Sequence, residues 1–444
     1  IFVQVNQAGQ MEHIAYHPQD TQVLNLVPPP AICGPGCALG SRSPPPQQQE
    51  SPLTFGITGS EGQSGYSSII SQPAVQKLLL DVAHVPRTPE FLDAALKGTG
   101  VKRRALEKLR LVRQQDGECV ISFPLFTSED VRKVRAVAER AVRSLVSALT
   151  ARRSEIDALL KHYGARDVAR KTVAYIVLGC FSLDWDGLDL TAEKGYRSVP
   201  EVTIGGGKFI PWAEERSDLS LKGIYWGSHN DREGDFCFTS FGDHFSLPRY
   251  AFPDVFWRWQ LPTHAVSKVS DRLKPAVERA MRQMIRGMIR QVGRIMFALR
   301  DGERTLAELT HLVEMDAEEA NALLTLLGKL EYVEKHGERF RSQALVLSER
   351  DGAMVQQLRR IGWEVIEAWL SANYDDVKAQ LSGLTAIRYG VPYSVVFTQI
   401  WHYLFGTANR QLVEVGMFVD PYALNRRYKG FIPVVWHKSL GDLR

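Results

Sequence analysis

The sequence predicts a mainly α chain of the α+β kind, in which one helix-rich unit is used twice. Three observations carry this expectation. An order of three short helices and a hairpin starts near residue 73 and starts again near residue 290. Apolar positions in the two passages keep one constant offset: Leu106, Leu109 and Val112 recur as Leu327, Leu330 and Val333. Between the passages, Gly223 to Trp259 is rich in aromatic and turn residues and reads as a small β insertion.

Taken in order, residues 1–70 come first. They hold Pro28-Pro29-Pro30, Pro44-Pro45-Pro46 and Gln47-Gln48-Gln49, a composition too poor in apolar surface to offset chain ordering, so a disordered tail is expected. Copy 1, residues 71–215, follows. Pro73 to Val85 and Pro89 to Leu96 read as helices, and Gly98-Thr99-Gly100 breaks the pattern. A third helix places Leu106, Leu109 and Val112 on one face. Asp116-Gly117 then turns the chain into an apolar strand at Cys119. A helical tail runs through Ser128–Leu149, Ser154–Tyr163 and Ala169–Phe181. The aromatic insertion spans 216–265. Copy 2, residues 266–444, opens with a long helix whose Pro275 suits a first turn. It continues through helices at Thr305 to Val313 and Ala317 to Leu330, a turn at His336-Gly337, and a tail from Asp351 to Phe405.

The correspondence extends into the tails. Leu149 falls on Leu370 and Ile156 on Val377 at the same offset, while Phe209-Ile210-Pro211 falls on Phe431-Ile432-Pro433 with a drift of a single position. An offset that barely drifts over such a stretch is what internal duplication produces.

The totals set bounds. The chain has 444 residues, 44% of them hydrophobic and 23% charged, as an ordinary globular protein has. A formal charge of +4 leaves the placement of the bases, not their sum, to decide whether a polyanion binds. Five scattered cysteines make no disulfide framework, and no apolar run approaches the roughly 18 residues a membrane span needs. The chain opens on Ile1 rather than Met, as a fragment or mis-started frame would, and no signal-peptide pattern opens it. A cytoplasmic location is expected, with no membrane partner.

The third helix of copy 1 carries the clearest chemistry. Lys102, Arg103, Arg104, Lys108, Arg110 and Arg113 give it a basic face, and arginine and lysine at such a helix can meet guanine edges or phosphates. A solvated face is the plain alternative. The matching helix of copy 2 opens with Asp316, Glu318 and Glu319, which repel phosphate; only the hairpin bases Lys335, Arg339 and Arg341 are left there to touch a nucleic-acid backbone. Along the long helix Arg282, Arg286, Arg290 and Arg294 form a stripe opposite an apolar one. In the insertion, Tyr225, Trp226, His229, Phe238 and His244 are candidates for an aromatic pocket holding a small-molecule effector. His229, Cys237 and His244 match no closed zinc spacing, and no metal or other cofactor is expected. Gly205-Gly206-Gly207-Lys208 lacks the spacing of a phosphate loop. There is no GxSxG, no HExxH and no paired CxxC, so an enzyme is not expected.

The helix order, the Leu-x-x-Leu-x-x-Val face and the hairpin of residues 73–126 and 290–347 resemble winged helix-turn-helix domains, broadly those of ArsR- and MarR-like bacterial regulators. That resemblance implies a fold of two winged-helix-like units with helical tails. It implies a homodimeric transcriptional regulator that binds DNA. A winged-helix module that binds protein instead of DNA is the alternative. The acidic helix of copy 2 departs from the pattern and leaves copy 1 as the reader.

Overall fold

The computed structural model describes residues 4–5, 11–13, 52–60, 65–163, 167–199, 203–204, 207–216, 224–243, 273–424 and 430–441. The described residues are mostly helical with small sheets. No helix among them is long and apolar enough to cross a membrane.

The first half of the chain runs β1 (Leu53–Ser60), α1 (Pro73–His84), α2 (Pro89–Ala95), α3 (Arg103–Lys108), the hairpin β2 (Val112–Gln115) and β3 (Glu118–Ile121), then β4 (Leu125–Phe126). It continues through α4 (Ser128–Ala151), α5 (Arg153–Leu159), α6 (Asp167–Ala174), a wide-turn helical stretch at Tyr175–Asp186, and β5 (Gly207–Glu215). The second half runs β6 (Gly227–Glu233), β7 (Phe236–Gly242), α7 (Lys274–Arg300), β8 (Arg304–Thr305), α8 (Leu306–Val313) and α9 (Ala317–Lys329). The hairpin β9 (Val333–His336) and β10 (Arg339–Ser342) follows, then β11 (Leu345–Leu347), α10 (Gly352–Gln380), α11 (Tyr393–Glu414) and β12 (Phe431–His437).

Registers match between the halves. In the first, β5 pairs antiparallel with β1 (Phe55 opposite Ala213) and parallel with β4 (Leu125 opposite Ala213). In the second, β12 pairs antiparallel with β7 (Phe238 opposite Val435) and parallel with β11 (Val346 opposite Val435). The stretch expected to be an insertion is therefore the second copy of β1, extended by one strand, β6. The strand β1 also lies inside the 1–70 segment expected to be a disordered tail, where Leu53, Phe55 and Ile57 are buried in the first core. The strand β1 was hidden by the Pro-, Gln- and Ser-rich composition of the residues ahead of it, and its counterpart by a change of spacing. More residues separate β7 from α7 (Gly242 to Lys274) than β1 from α1 (Ser60 to Pro73, across a short helix at Tyr66–Ile70), so the constant offset fails there.

The third helix of copy 1 is shorter than its apolar spacing predicts. Arg110 takes a left-handed conformation (φ 56°) that ends it, and Val112 begins β2. Glu331, its counterpart in copy 2, has φ 60° and does the same before Val333. Leu109, Leu111 and Val112 keep facing one core across the turn, which preserves a helical spacing where no helix exists.

The chain divides into two compact units that do not coincide with the two copies. The first comprises Ile1–Val142, Leu188–Leu221 and Leu370–Leu404; the second comprises Arg143–Gly187, Lys222–Trp369 and Phe405–Arg444. Each unit thus combines the head of one copy with tail segments of the other.

An aspartate at the start of each tail receives the exchanged segment. In the first unit Asp130 closes a cap with Thr127, accepting from its N–H and hydroxyl at 3.0 Å each, and accepts the Thr385 N–H at 3.0 Å. In the second, Asp351 caps Ser348, accepts the Tyr163 hydroxyl and forms a two-pronged pair with Arg300 at 2.9 and 3.0 Å. Both carboxylates are buried, and the two capping pairs occupy equivalent positions in the two copies. A deeper ion pair joins Arg359 to Asp186 in the second unit, at 2.8 and 2.5 Å.

Candidate nucleic-acid interface

The head of the first unit is held by a core in which Leu78, Leu79 and Val82 of α1 meet Leu92 of α2, Leu106 of α3 and Cys119 of β3. That packing orients α3 with its polar side outward. Lys102, in extended backbone just before the helix, is exposed, as are Arg104, Lys108 and Arg110. These four cations are the accessible part of the predicted basic face.

Two predicted contacts are engaged elsewhere. Arg103 is half-buried; its Nε lies 3.3 Å from the Asp93 carboxylate of α2, and its Nη1 donates to Glu107. It fastens α3 to α2. Arg113 lies on β2 rather than on a helix, and its Nη2 donates to the Tyr389 carbonyl at 2.5 Å and to Gln115 Oε1 at 2.8 Å. It holds the exchanged tail segment within this unit. Neither guanidinium points outward for a base edge or a phosphate without first breaking these bonds.

The two hairpin arginines of the second unit are paired with carboxylates of α8 and β9. Arg339 reaches Glu308 at 3.2 Å and the Glu303 carbonyl at 3.2 Å, and Arg341 reaches Glu334 at 2.6 Å. Lys335 is exposed beside the Phe340 ring. At the start of α9, Asp316 accepts the N–H groups of Glu318 and Glu319, whose carboxylates face solvent. This end is negative, with a helix N-terminus stabilising the acids. On α7, Arg286 and Arg290 lie 3.5 and 3.3 Å from Glu233, while Arg282 and Arg294 are exposed.

Three of the aromatic candidates, Tyr225, Trp226 and Phe238, are buried. Phe238 is fully buried in the second core, among Ile289, Val292, Phe431 and Val435. Trp226 is buried against Gly406, where a Cβ would stand 2.9 Å from its ring, and the Tyr225 carbonyl accepts from Asn409 at 2.9 Å. Phe238 thus packs a strand of the sheet, while Tyr225 and Trp226, ahead of β6, pack against α11. His229 lies on β6, and His244 falls outside the described residues. Among the described residues no three His, Cys, Asp or Glu side chains gather as a metal site would require.

Sequence reasoning reads Ser128-Glu129-Asp130 as a helix start, and misses the cap on Thr127, the matching role of Asp351 and the buried Glu214. The signal for the two caps was present: Thr127-x-x-Asp130 and Ser348-x-x-Asp351 are capping patterns ahead of amphipathic runs. Glu214 carries no such mark. It sits in β5, buried, with Gln399 Nε2 donating at 2.6 Å, and burial pushes its carboxyl up to about 7 despite the support of Gln399 and Tyr403. Burial likewise takes His402 down to about 4, its Nδ1 lying 2.7 Å from the Thr398 carbonyl. No family model, curated protein or solved structure matches this chain.

Proposed function

We propose that the chain is a sequence-specific DNA-binding regulator that reads duplex DNA through α3 of copy 1. The observation carrying this reading is the exposed cluster Lys102, Arg104, Lys108 and Arg110, set on a helix–helix–helix–hairpin head whose counterpart bears acids at the matching helix start. Four accessible cations on a short element suit a run of phosphates and groove-edge acceptors. Arg103 and Arg113 serve the fold, and Arg339 and Arg341 contribute little because each already faces a carboxylate. Phosphate contact by Lys335 belongs to the periphery of this reading. So does the winged helix-turn-helix assignment of both heads. With one reading head per chain, a palindromic operator takes a homodimer. The role is regulatory rather than catalytic, in the cytoplasm.

The test is binding to genomic DNA fragments over a salt series. Replacing Lys102, Arg104, Lys108 and Arg110 by Ala is expected to weaken binding at least about tenfold at ~150 mM salt and to flatten the salt dependence by roughly three to four ions. Unchanged affinity sinks the assignment of α3 as reader. For the head of copy 2, the exposed Leu312 (55%) and the acids of α9 favour a second role, contact with a basic protein surface. A stable protein partner with no DNA retained at the same salt would put that role in place of DNA binding for the whole chain.

A further inference from the structure

In the second unit, α7 runs from Lys274 to Arg300 and holds a single acid, Glu278. At about 100° per residue, Arg279, Arg282, Arg286, Arg290 and Arg294 fall within an arc of about 120°, and Glu278 falls outside it. The other side of the helix carries Ile285, Ile289, Val292, Ile295, Met296 and Leu299, all buried in the second core, so the arc faces outward. All five arginines are exposed. We propose that this row is a second DNA-contact surface, which holds the phosphates of a duplex without reading its sequence. It rests on the DNA-binding role of the chain and adds to α3 a contact from the other copy.

The row has a fixed base and a useful length. Gly293 lets the Phe236 ring lie within 2.3 Å of where a Cβ would stand, which seats α7 on the β6–β7 hairpin. From that hairpin Glu233 lies 3.5 Å from Arg286 Nε and 3.3 Å from Arg290 Nη1, one carboxylate between two guanidiniums. Both arginine side chains stay 50% exposed. Among the described residues, no carboxylate pairs with Arg279, Arg282 or Arg294. From Arg279 to Arg294 the helix rises about 22 Å, a length over which each DNA strand offers about six phosphates.

Two comparisons set this face apart from a solvated one, which mixes signs. On α10, Arg360 pairs with Glu364 at 3.8 Å, and Asp375, Asp376 and Lys378 are all exposed. In copy 1, Val75, Leu78, Leu79 and Val82 of α1 have the spacing of Val292, Ile295, Met296 and Leu299. Yet α1 begins at Pro73, just ahead of Val75, whereas α7 begins about five turns ahead of Val292. In those added turns Ala276, Arg279, Ala280, Arg282, Gln283 and Met284 are all exposed, so the second core makes no use of them. Charge selects the partner. A second copy packed on this face would set arginines against arginines. A bilayer would need an apolar face, and from Ile285 onward that face lies in the core. A polyanion meets the whole row, and arginine suits its phosphates.

Fluorescence anisotropy of the full chain with a labelled random-sequence duplex, over a salt series, tests this. Arg279→Gln, Arg282→Gln and Arg294→Gln together are expected to weaken binding about tenfold at ~150 mM salt and to lower the salt slope by about two to three ions. Lysine at the same three positions is expected to keep affinity within about threefold. Glu233→Gln removes the carboxylate between Arg286 and Arg290 and is expected to tighten binding about two- to threefold, which a merely structural role would not give. Unchanged affinity and slope in the folded glutamine variant overturns the proposal. So does a glutamine variant that loses a dimer in sedimentation, or loses binding to phosphatidylserine vesicles, with DNA affinity intact. Should the glutamine variant fail to fold by circular dichroism, Arg282→Gln and Glu233→Gln decide. Failure of the α3 reading is separable. Replacing Lys102, Arg104, Lys108 and Arg110 by Ala is expected to reduce preference for a fragment selected from genomic DNA over the random duplex, whereas the α7 changes weaken both alike. Unchanged preference sinks α3 as reader and leaves α7 standing; an α7 loss confined to the selected fragment overturns the α7 surface alone.

Discussion

The two units answer the same structural demand with different chemistry. Where β5 ends in the first unit, Glu214 is buried with Gln399. At the matching place on β12 in the second, Trp436 packs against Phe181 and Trp185 and donates to Thr239 Oγ1 at 2.9 Å. Where the exchanged tail meets the head, Asp130 accepts a backbone N–H, while Asp351 meets a guanidinium and a phenol. The duplicated backbone tolerates either solution, because strand register and helix caps, not the identity of the buried side chain, are what the two halves share.

That contrast can be broken most severely at the aspartates. Asp351→Ala leaves the Arg300 guanidinium without its buried carboxylate and is expected to cost roughly 3–5 kcal/mol in denaturant unfolding. Asp130→Ala removes hydrogen bonds to neutral groups and is expected to cost roughly 1–3 kcal/mol. Equal losses would show that the two junctions are energetically alike despite their different partners.

Glu214 gives a middle-sized effect with a defined pH window. Its folded carboxyl titrates at about 7, above the ordinary 4.5, so the folded state prefers the protonated form. The stability this contributes is complete below about 4.5 and is lost as pH rises through 7. Glu214→Gln, which keeps a neutral side chain at every pH, is expected to match the native chain at pH 4 and to exceed it at pH 8 by about 3 kcal/mol. Parallel stability curves for the two proteins between pH 5 and 8 would rule out the protonated buried carboxyl. His402 acts in the other direction: its folded value of about 4 makes its contribution complete above about 6.5 and lost as pH falls through 4, so the two groups are separable by pH.

The smallest effect belongs to the hairpin of the second unit. Arg341→Ala breaks an exposed pair with Glu334 and is expected to change stability by under about 1 kcal/mol. A larger loss would mean that the hairpin, not the core beneath it, holds that head together.

Much of the scaffold was legible in the sequence, because the two halves repeat their elements at an offset that can be read off Leu106 and Leu327 without knowing what either touches. Three things were hidden. Arg103 and Lys102 are adjacent bases, and only the position of Asp93 on another helix turns one inward. Arg113 continues a helical spacing but lies on a strand, since a core-facing turn preserves that spacing. The exchange of tails leaves no trace in either copy, because swapping equivalent segments preserves every local pattern.

That exchange bears on the order in which the chain can assemble during synthesis. The first unit draws on residues 370–404, so its sheet and three-helix head emerge from the ribosome long before the segment that Asp130 and Arg113 grip. Neither half can finish alone, and contacts as distant in sequence as Asp130 with Thr385 must form late. The nascent N-terminal half therefore spends much of translation with its tail-binding face uncovered, a span in which chaperone binding would matter most.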